Sequence, residues 1–253
     1  MSGVHAHALH YHGHSPVHRL APEVKIVALF TFVAAVIATP TQAVWAFGVL
    51  AGVLAVAVGL AELPVGFFLK RLSIEIPFVI FALAMPFVGQ GPYVEVGGMS
   101  LSVPGLWGTW NVLAKATLSV GASVVLSATT EVADILAGFD RLRAPRLLTA
   151  ISGFMVRYLE VVAAELGRVR TAIAARLGDR PRRREAATLA SVSGTMFIRA
   201  YERGERIHQA MLARGYTGVM PAAAAPRLPV RWTAAVSWMA AAWVVAVAAI
   251  LTA

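Results

Sequence analysis

Apolar runs about as long as a bilayer is thick dominate this chain, separated by short polar turns and one long polar stretch. The first run is residues 24–39 (VKIVALFTFVAAVIAT). A spanning helix needs roughly 17–25 mostly apolar residues. This run is short, so Lys25 is expected to snorkel toward the headgroups from one end. Thr39-Pro40-Thr41 makes a turn, and residues 43–61 form the second run. That run carries Gly48-x-x-x-Gly52, which has two readings. Small residues at this spacing let helices approach closely, and glycine is also simply common in membrane helices. Residues 62–73 (ELPVGFFLKRLS) read as an amphipathic break carrying Lys70 and Arg71. A third span, residues 74–88, is expected to be bent or segmented by Pro77 and Pro86.

Residues 89–105 hold no Lys or Arg, and VEVGGMSLSV alternates around Gly97-Gly98, which predicts a small β-hairpin. Residues 106–128 form the fourth span. Lys115 lies within it and must face other helices or a polar cavity. Residues 232–253 are the last span. The stretch between, 129–231, is too polar to embed and too long for a plain loop. Residues 130–138 read as a short helix ending at Gly138. Residues 145–177 read as a long one, with Val162, Leu166, Val169 and Ile173 on one face. Gly178-Asp179-Arg180-Pro181 stops it. A second long helix starts at Arg182-Arg183-Arg184 and runs to about Arg214. It places Phe197, Tyr201, Gly204, His208 and Met211 on one face, with His208 read as a packing residue, and pairs Glu202 with Arg206. Residues 215–218 are a stop, and 220–229 an Ala/Pro linker.

The fold class is thus an all-α polytopic membrane protein, with about five spans and a helical insert between the fourth and fifth. Its parts are a tail (1–23), a four-span bundle (24–128), the insert (129–231) and the last span (232–253).

Composition agrees: 58% of the 253 residues are hydrophobic and 14% charged. A soluble domain has roughly 45–50% apolar and about 25% charged residues. Mean hydropathy is +0.70, yet the net charge is +9. The placement of that charge gives the orientation. Residues 141–231 hold 17 of the 22 basic residues and 6 acidic ones, net +11. Arg19, Lys25, Lys70 and Arg71 fall on the same side of a five-span arrangement, and the opposite turns hold none. Positive charge accumulates on the cytoplasmic side, so the N-terminus is expected in the cytoplasm. The N-terminus is too polar to read as a cleavable signal peptide. The absence of cysteine excludes disulfides, Cys-ligated metal and thiol nucleophiles.

Candidate chemistry is sparse. No G-x-x-x-x-G-K-[ST] phosphate loop occurs, so ATP is not bound in that way. The spans hold little beyond Lys25, Glu75 and Lys115 and no His-Glu-x-x-His pair, which argues against an intramembrane enzyme. A stand-alone secondary transporter would need a polar midplane site, for which Pro77, Pro86 and Lys115 are the only hints. The basic insert is the normal charge of a cytosolic loop rather than a nucleic-acid surface, and Arg182–Arg184 suit anionic headgroups of the lipid bilayer. Six of seven histidines lie in the first 18 residues. His5, His7, His10, His12 and His14 either bind Co, Ni, Cu or Zn through neutral imidazole or form a polar tail that binds metal incidentally. No cofactor is assigned, though Co2+ or Ni2+ could be cargo.

The two long helices of the insert end alike, in Ala175-Arg176-Leu177 and Ala213-Arg214-Gly215. An Arg there complements the helix dipole. Alternatively, it is presented to an acidic partner surface as an always-charged bidentate donor. These ends and their surroundings resemble the transmembrane T component of energy-coupling-factor transporters, in the cobalt-type CbiQ branch. IRAYERGERIHQAMLARGYTG (residues 198–218) is the specific part. FDRLRAP (139–145), MVRYLEVVAAELGRVRTAIAAR (155–176) and HRLAPEVK (18–25) also fit, so the resemblance covers most of the chain. Leu177 departs from it, standing where Gly or another small residue is usual. The resemblance implies a non-catalytic subunit that links two cytoplasmic ABC ATPase subunits to a membrane substrate-binding (S, CbiM-like) subunit. It implies that Arg176 and Arg214 dock into the ATPases, that nucleic acid is not a partner, and that the cargo is cobalt, with nickel next. A vitamin-type importer is the alternative.

Overall fold

The structure is a computed structural model that describes residues 15–89, 91–96, 99–177, 182–217 and 232–252. Its helices are α1 (Pro22–Ala38), α2 (Val44–Leu60), α3 (Val65–Leu72), α4 (Ile76–Val88), α5 (Val103–Thr129), α6 (Val132–Arg141), α7 (Arg146–Leu177), α8 (Arg182–Ala213) and α9 (Trp232–Thr252). Strands β1 (Tyr93–Val96) and β2 (Met99–Ser102) pair antiparallel, Tyr93 opposite Ser102, as the alternating pattern predicts. The chain is an all-α polytopic membrane protein with this one hairpin. It divides into two compact units. One contains Phe139–Ala224, and the other contains Leu9–Gly138 with Ala225–Ala253.

The second unit is the bundle. Its core joins α1, α2, α5 and α9 through Phe32, Ala35, Val36, Leu50, Leu118, Ala242 and Ala246. The many alanines matter because lipid offers no hydrophobic force between helices. Close backbone approach over small residues supplies packing instead. The outward residues are large and apolar: Phe78, Ile80, Phe81 and Phe87 of α4 are all more than half exposed. Such a surface suits hydrocarbon, not water.

The third span departs from its predicted outline. The amphipathic break at 62–73 is not a break. Residues 65–72 are helical as α3, and a 3-10 turn (Ser73–Glu75) carries them into α4. Together Val65–Val88 make 24 residues of membrane length. Pro77 begins α4, where its missing N–H is harmless. Pro86 lies inside α4 and leaves the Ala82 carbonyl without its intrahelical donor. Thr109 of α5 fills the gap, its hydroxyl donating to Ala82 O at 2.7 Å. Thr109→Val should therefore lower bundle stability by about 1–2 kcal/mol. Thermal unfolding of the Pro86→Ala background, which restores an N–H, should show a smaller loss; equal losses would refute the compensation.

Residues α4 and α5 touch most closely near Met85. A Cβ on Gly105 would lie 2.6 Å from Met85 O, which is backbone and cannot yield. One on Gly108 would meet only the flexible end of the Met85 side chain, its Cε at 2.8 Å and Sδ at 3.7 Å. Gly105→Ala should cost about 1–3 kcal/mol and Gly108→Ala clearly less. Equal melting temperatures for the two variants would contradict this packing. Gly48 and Gly52 have nothing within 4 Å of a built Cβ, so the structure gives them no close helix contact among the described residues. Gly138 does not end a helix as its sequence suggested. Helix α6 continues to Arg141, and Gly138 lets it approach the start of α1, a built Cβ lying 3.1 Å from Glu23 N.

Lys25 and Lys115 both serve helix ends. Lys115 Nζ donates to Ile37 O at 2.9 Å in the last turn of α1, so it faces another helix as expected. Lys25 does not snorkel. It is buried, and its ammonium donates to Thr129 O (2.9 Å), Thr130 Oγ1 (3.1 Å) and His18 O (3.3 Å). Three donors meet three acceptors at the C-terminus of α5, where the helix dipole is negative. Buried Glu75 accepts a hydrogen bond from the Thr117 hydroxyl at 3.1 Å.

The bundle has two chemically different ends. Val17, Ala61, Leu63 and Ala128 cluster at one, beside the end of α5. The other holds the hairpin, which feeds α5 directly: Ser102 Oγ caps it by accepting from Gly105 N (3.3 Å).

Candidate functional site

The unit containing Phe139–Ala224 carries the two long helices. Helix α7 matches its predicted span to within a residue, and it is oilier than its placement in a polar insert suggested. Residues Arg146–Ala175 suffice, by length and composition, to cross a membrane. Arg157, Glu160, Glu165, Arg168 and Arg170 nevertheless interrupt it. Of its predicted apolar face, Ile173 is buried, Leu166 and Val169 half-buried, and Val162 more open.

Helices α7 and α8 are joined by ions that sequence spacing did not reveal. Glu165 is mostly buried and takes Arg203 Nη2 at 2.9 Å and Arg199 Nη1 at 3.9 Å. A partly buried charge-assisted pair is stronger than an exposed one. The predicted Glu202–Arg206 pair forms at 3.8 Å, exposed. The packed face of α8 keeps Met211 of the predicted one and otherwise lies about one position away. Met196, Arg203, Ile207 and Met211 are half-buried, whereas Phe197, Tyr201, Gly204 and His208 are exposed. Phe197 and Tyr201 are 72% and 61% exposed, and Leu147 and Met155 of α7 are 71% and 65% exposed. The pair therefore shows apolar side chains that this unit does not cover.

The arginine-bearing ends are placed as follows. Ala175, Arg176 and Leu177 form the last turn of α7; Ala175 is exposed, and the side chains of Arg176 and Leu177 lie outside the described residues. Ala213 ends α8, and Arg214 is exposed in the turn after it. Gly215 has φ +82°, a left-handed conformation that favours glycine. Gly215 N donates to Leu212 O and Tyr216 N to Met211 O, both at 3.0 Å. These are the two bonds of a Schellman motif, with Arg214 at the cap position. The glycine of Ala-Arg-Gly is thus required by the backbone, and it holds the arginine at a sharply ended helix. The two ends also match in length. Arg176 follows Glu165 by eleven residues, and Arg214 follows Arg203 by eleven. Each tip stands about 16 Å along its helix from the shared ion pair.

Among the described residues no three His, Asp or Glu side chains converge as a metal site. His5, His7, His10, His12 and His14 lie outside the described residues. His18 belongs to the fold, its Nδ1 2.7 Å from Ser15 Oγ.

These features define a polytopic helical membrane protein whose polar insert carries an ion-paired, basic helix pair. Residues 13–223 match the CbiQ family, described as cobalt transport protein, and the chain belongs to that family. It is 28% identical over 160 residues to the cobalt transport protein CbiQ of Rhodobacter capsulatus, across 63% of this chain and 64% of that one. The aligned region therefore spans just under two thirds of the Rhodobacter protein. The energy-coupling factor transporter transmembrane protein EcfT of Staphylococcus aureus is 25% identical over 216 residues, 79% of each chain. The protein of that name from Bacillus subtilis is 25% identical over 221 residues, 81% of this chain and 82% of its own. The expected kinship with transmembrane T components is borne out.

Proposed function

We propose that this chain is the energy-coupling subunit of an ABC-type importer. It passes the motion of two cytoplasmic ATPase subunits to a separate membrane subunit that binds the substrate, and it catalyses no reaction itself. The matched arginine ends of α7 and α8 carry this reading. Two equal arms from one ion-paired junction suit two copies of one kind of partner. Arginine suits an acidic groove, because its planar fork pairs carboxylates bidentately. The uncovered apolar residues on both helices suit further protein contacts.

Cobalt is the proposed cargo, in keeping with a family of cobalt transport proteins, with nickel second and a vitamin the alternative. We place the N-terminus, and with it the arginine ends, in the cytoplasm of a prokaryotic cell. Basic Arg19, Lys70 and Arg71 support this, since the hairpin end of the bundle lacks Lys and Arg. Affinity purification of the tagged full chain from its native membrane tests the reading. Nucleotide-binding subunits and a second membrane protein should co-elute, and the membranes should accumulate Co2+ only with ATP. Uptake by the chain alone, driven by an ion gradient, would overturn it.

A further inference from the structure

The bundle contains a cavity that its proposed coupling role does not use. It measures roughly 260 Å³ and is lined by the turn before α1 and by α1, α2, α5 and α9. It lies at the end of the bundle where Leu20, Lys25, Leu60 and Thr129 sit, and reaches inward to Phe32, Leu54 and Ala122. It is open to the surroundings rather than sealed.

Its chemistry is decided by what its few polar groups already do. All three Lys25 N–H donors are engaged by His18, Thr129 and Thr130. The Thr129 hydroxyl donates to Val125 O at 2.8 Å. Among the described side chains of the wall, only the Trp238 indole N–H remains to meet a polar solute, and no cation is left over for an anion. The remaining wall is Pro, Leu, Val, Ala, Phe and the Trp238 ring. An apolar cavity of about 150 Å³ already stays dry and takes up benzene, so this larger one favours an apolar guest over water. In a membrane-spanning bundle the abundant apolar guest is lipid, and the wall includes Leu20, the neighbour of Arg19, beside which an anionic headgroup would be welcome.

We propose that this cavity holds a segment of one acyl chain of a membrane phospholipid, inserted from the leaflet at the basic end of the bundle. The lipid would fill the space between α1, α2, α5 and α9 and so form part of their packing. The idea does not depend on ATPase coupling.

The test uses the full chain reconstituted in phosphatidylcholine–phosphatidylglycerol vesicles containing phosphatidylglycerol with a photoreactive diazirine on one acyl chain. Mass spectrometry after illumination should find adducts at Leu29, Ala122 or Leu126 several-fold above those at outward-facing Val56 and Phe30. Filling the space with Ala122→Phe should abolish the cavity adducts and leave the Val56 and Phe30 adducts unchanged. Ala57→Phe, from a different helix, should do the same, so the result does not rest on the folding of one variant. Equal labelling of cavity and outer surface, or cavity labelling that survives both substitutions, would overturn the proposal. Cavity labelling by a diazirine fatty acid but not by the phospholipid would also overturn it.

Discussion

Replacing both Arg176 and Arg214 by alanine should abolish recovery of ATPase subunits with the purified chain, and uptake with it, while the chain stays folded. The two explanations of these arginines differ in this experiment. As complements to helix dipoles they would be worth less than about 1 kcal/mol each, and a lysine would serve as well. As docking groups they act at the partner, and a point charge would replace the planar fork poorly. Arg214→Lys keeps the charge on the Gly215 cap and removes the fork, so it should weaken recovery of the ATPases with helix content unchanged. Circular dichroism and co-purification, measured together, check this. Normal ATPase recovery in the double alanine variant would remove the coupling assignment. A loss of helix content equal to the loss of binding would favour the dipole account.

Lys25→Met should be the most damaging conservative substitution in the bundle. It keeps the aliphatic stem and removes three donors. Thr129 O, Thr130 Oγ1 and His18 O would lose the cation they share, at the buried end of α5. Removing one partner from a buried polar group costs about 1–3 kcal/mol for each group left unpaired. With some relaxation, a total on the order of 2–4 kcal/mol is expected. Lys115→Met provides the control, since Lys115 makes one exposed hydrogen bond to Ile37 O. In thermal unfolding of the detergent-solubilised chain, Lys25→Met should melt well below both the native chain and Lys115→Met. Matching midpoints for the two variants would show that the Lys25 cluster contributes nothing special. Because Thr130 lies two residues before α6, loss of the cluster should also increase hydrogen exchange at the N-terminus of that helix.

The sequence alone determined the local elements, because local rules fix them. Apolar runs of bilayer length gave α1, α2, α4, α5 and α9, and alternation around Gly97-Gly98 gave the hairpin strands. The helix period gave α7 and α8, and Glu202 found Arg206 because four residues make one helical step. Charge segregation gave the proposed orientation, and the two arginine ends were visible as repeated text. Tertiary structure decided whatever depended on groups distant in the chain. Lys25 looked free to reach headgroups until Thr129 and Thr130 appeared beside it. The stretch at 62–73 looked too polar to continue a span until Ser73–Glu75 turned it into α4. Nothing in the text of Pro86 names Thr109 as the donor that replaces its N–H, and Glu165 gives no hint of Arg203. Spacing shows which residues share a helix face. Only packing shows which faces meet, because partners far apart in sequence are brought together by the whole fold and not by any local rule.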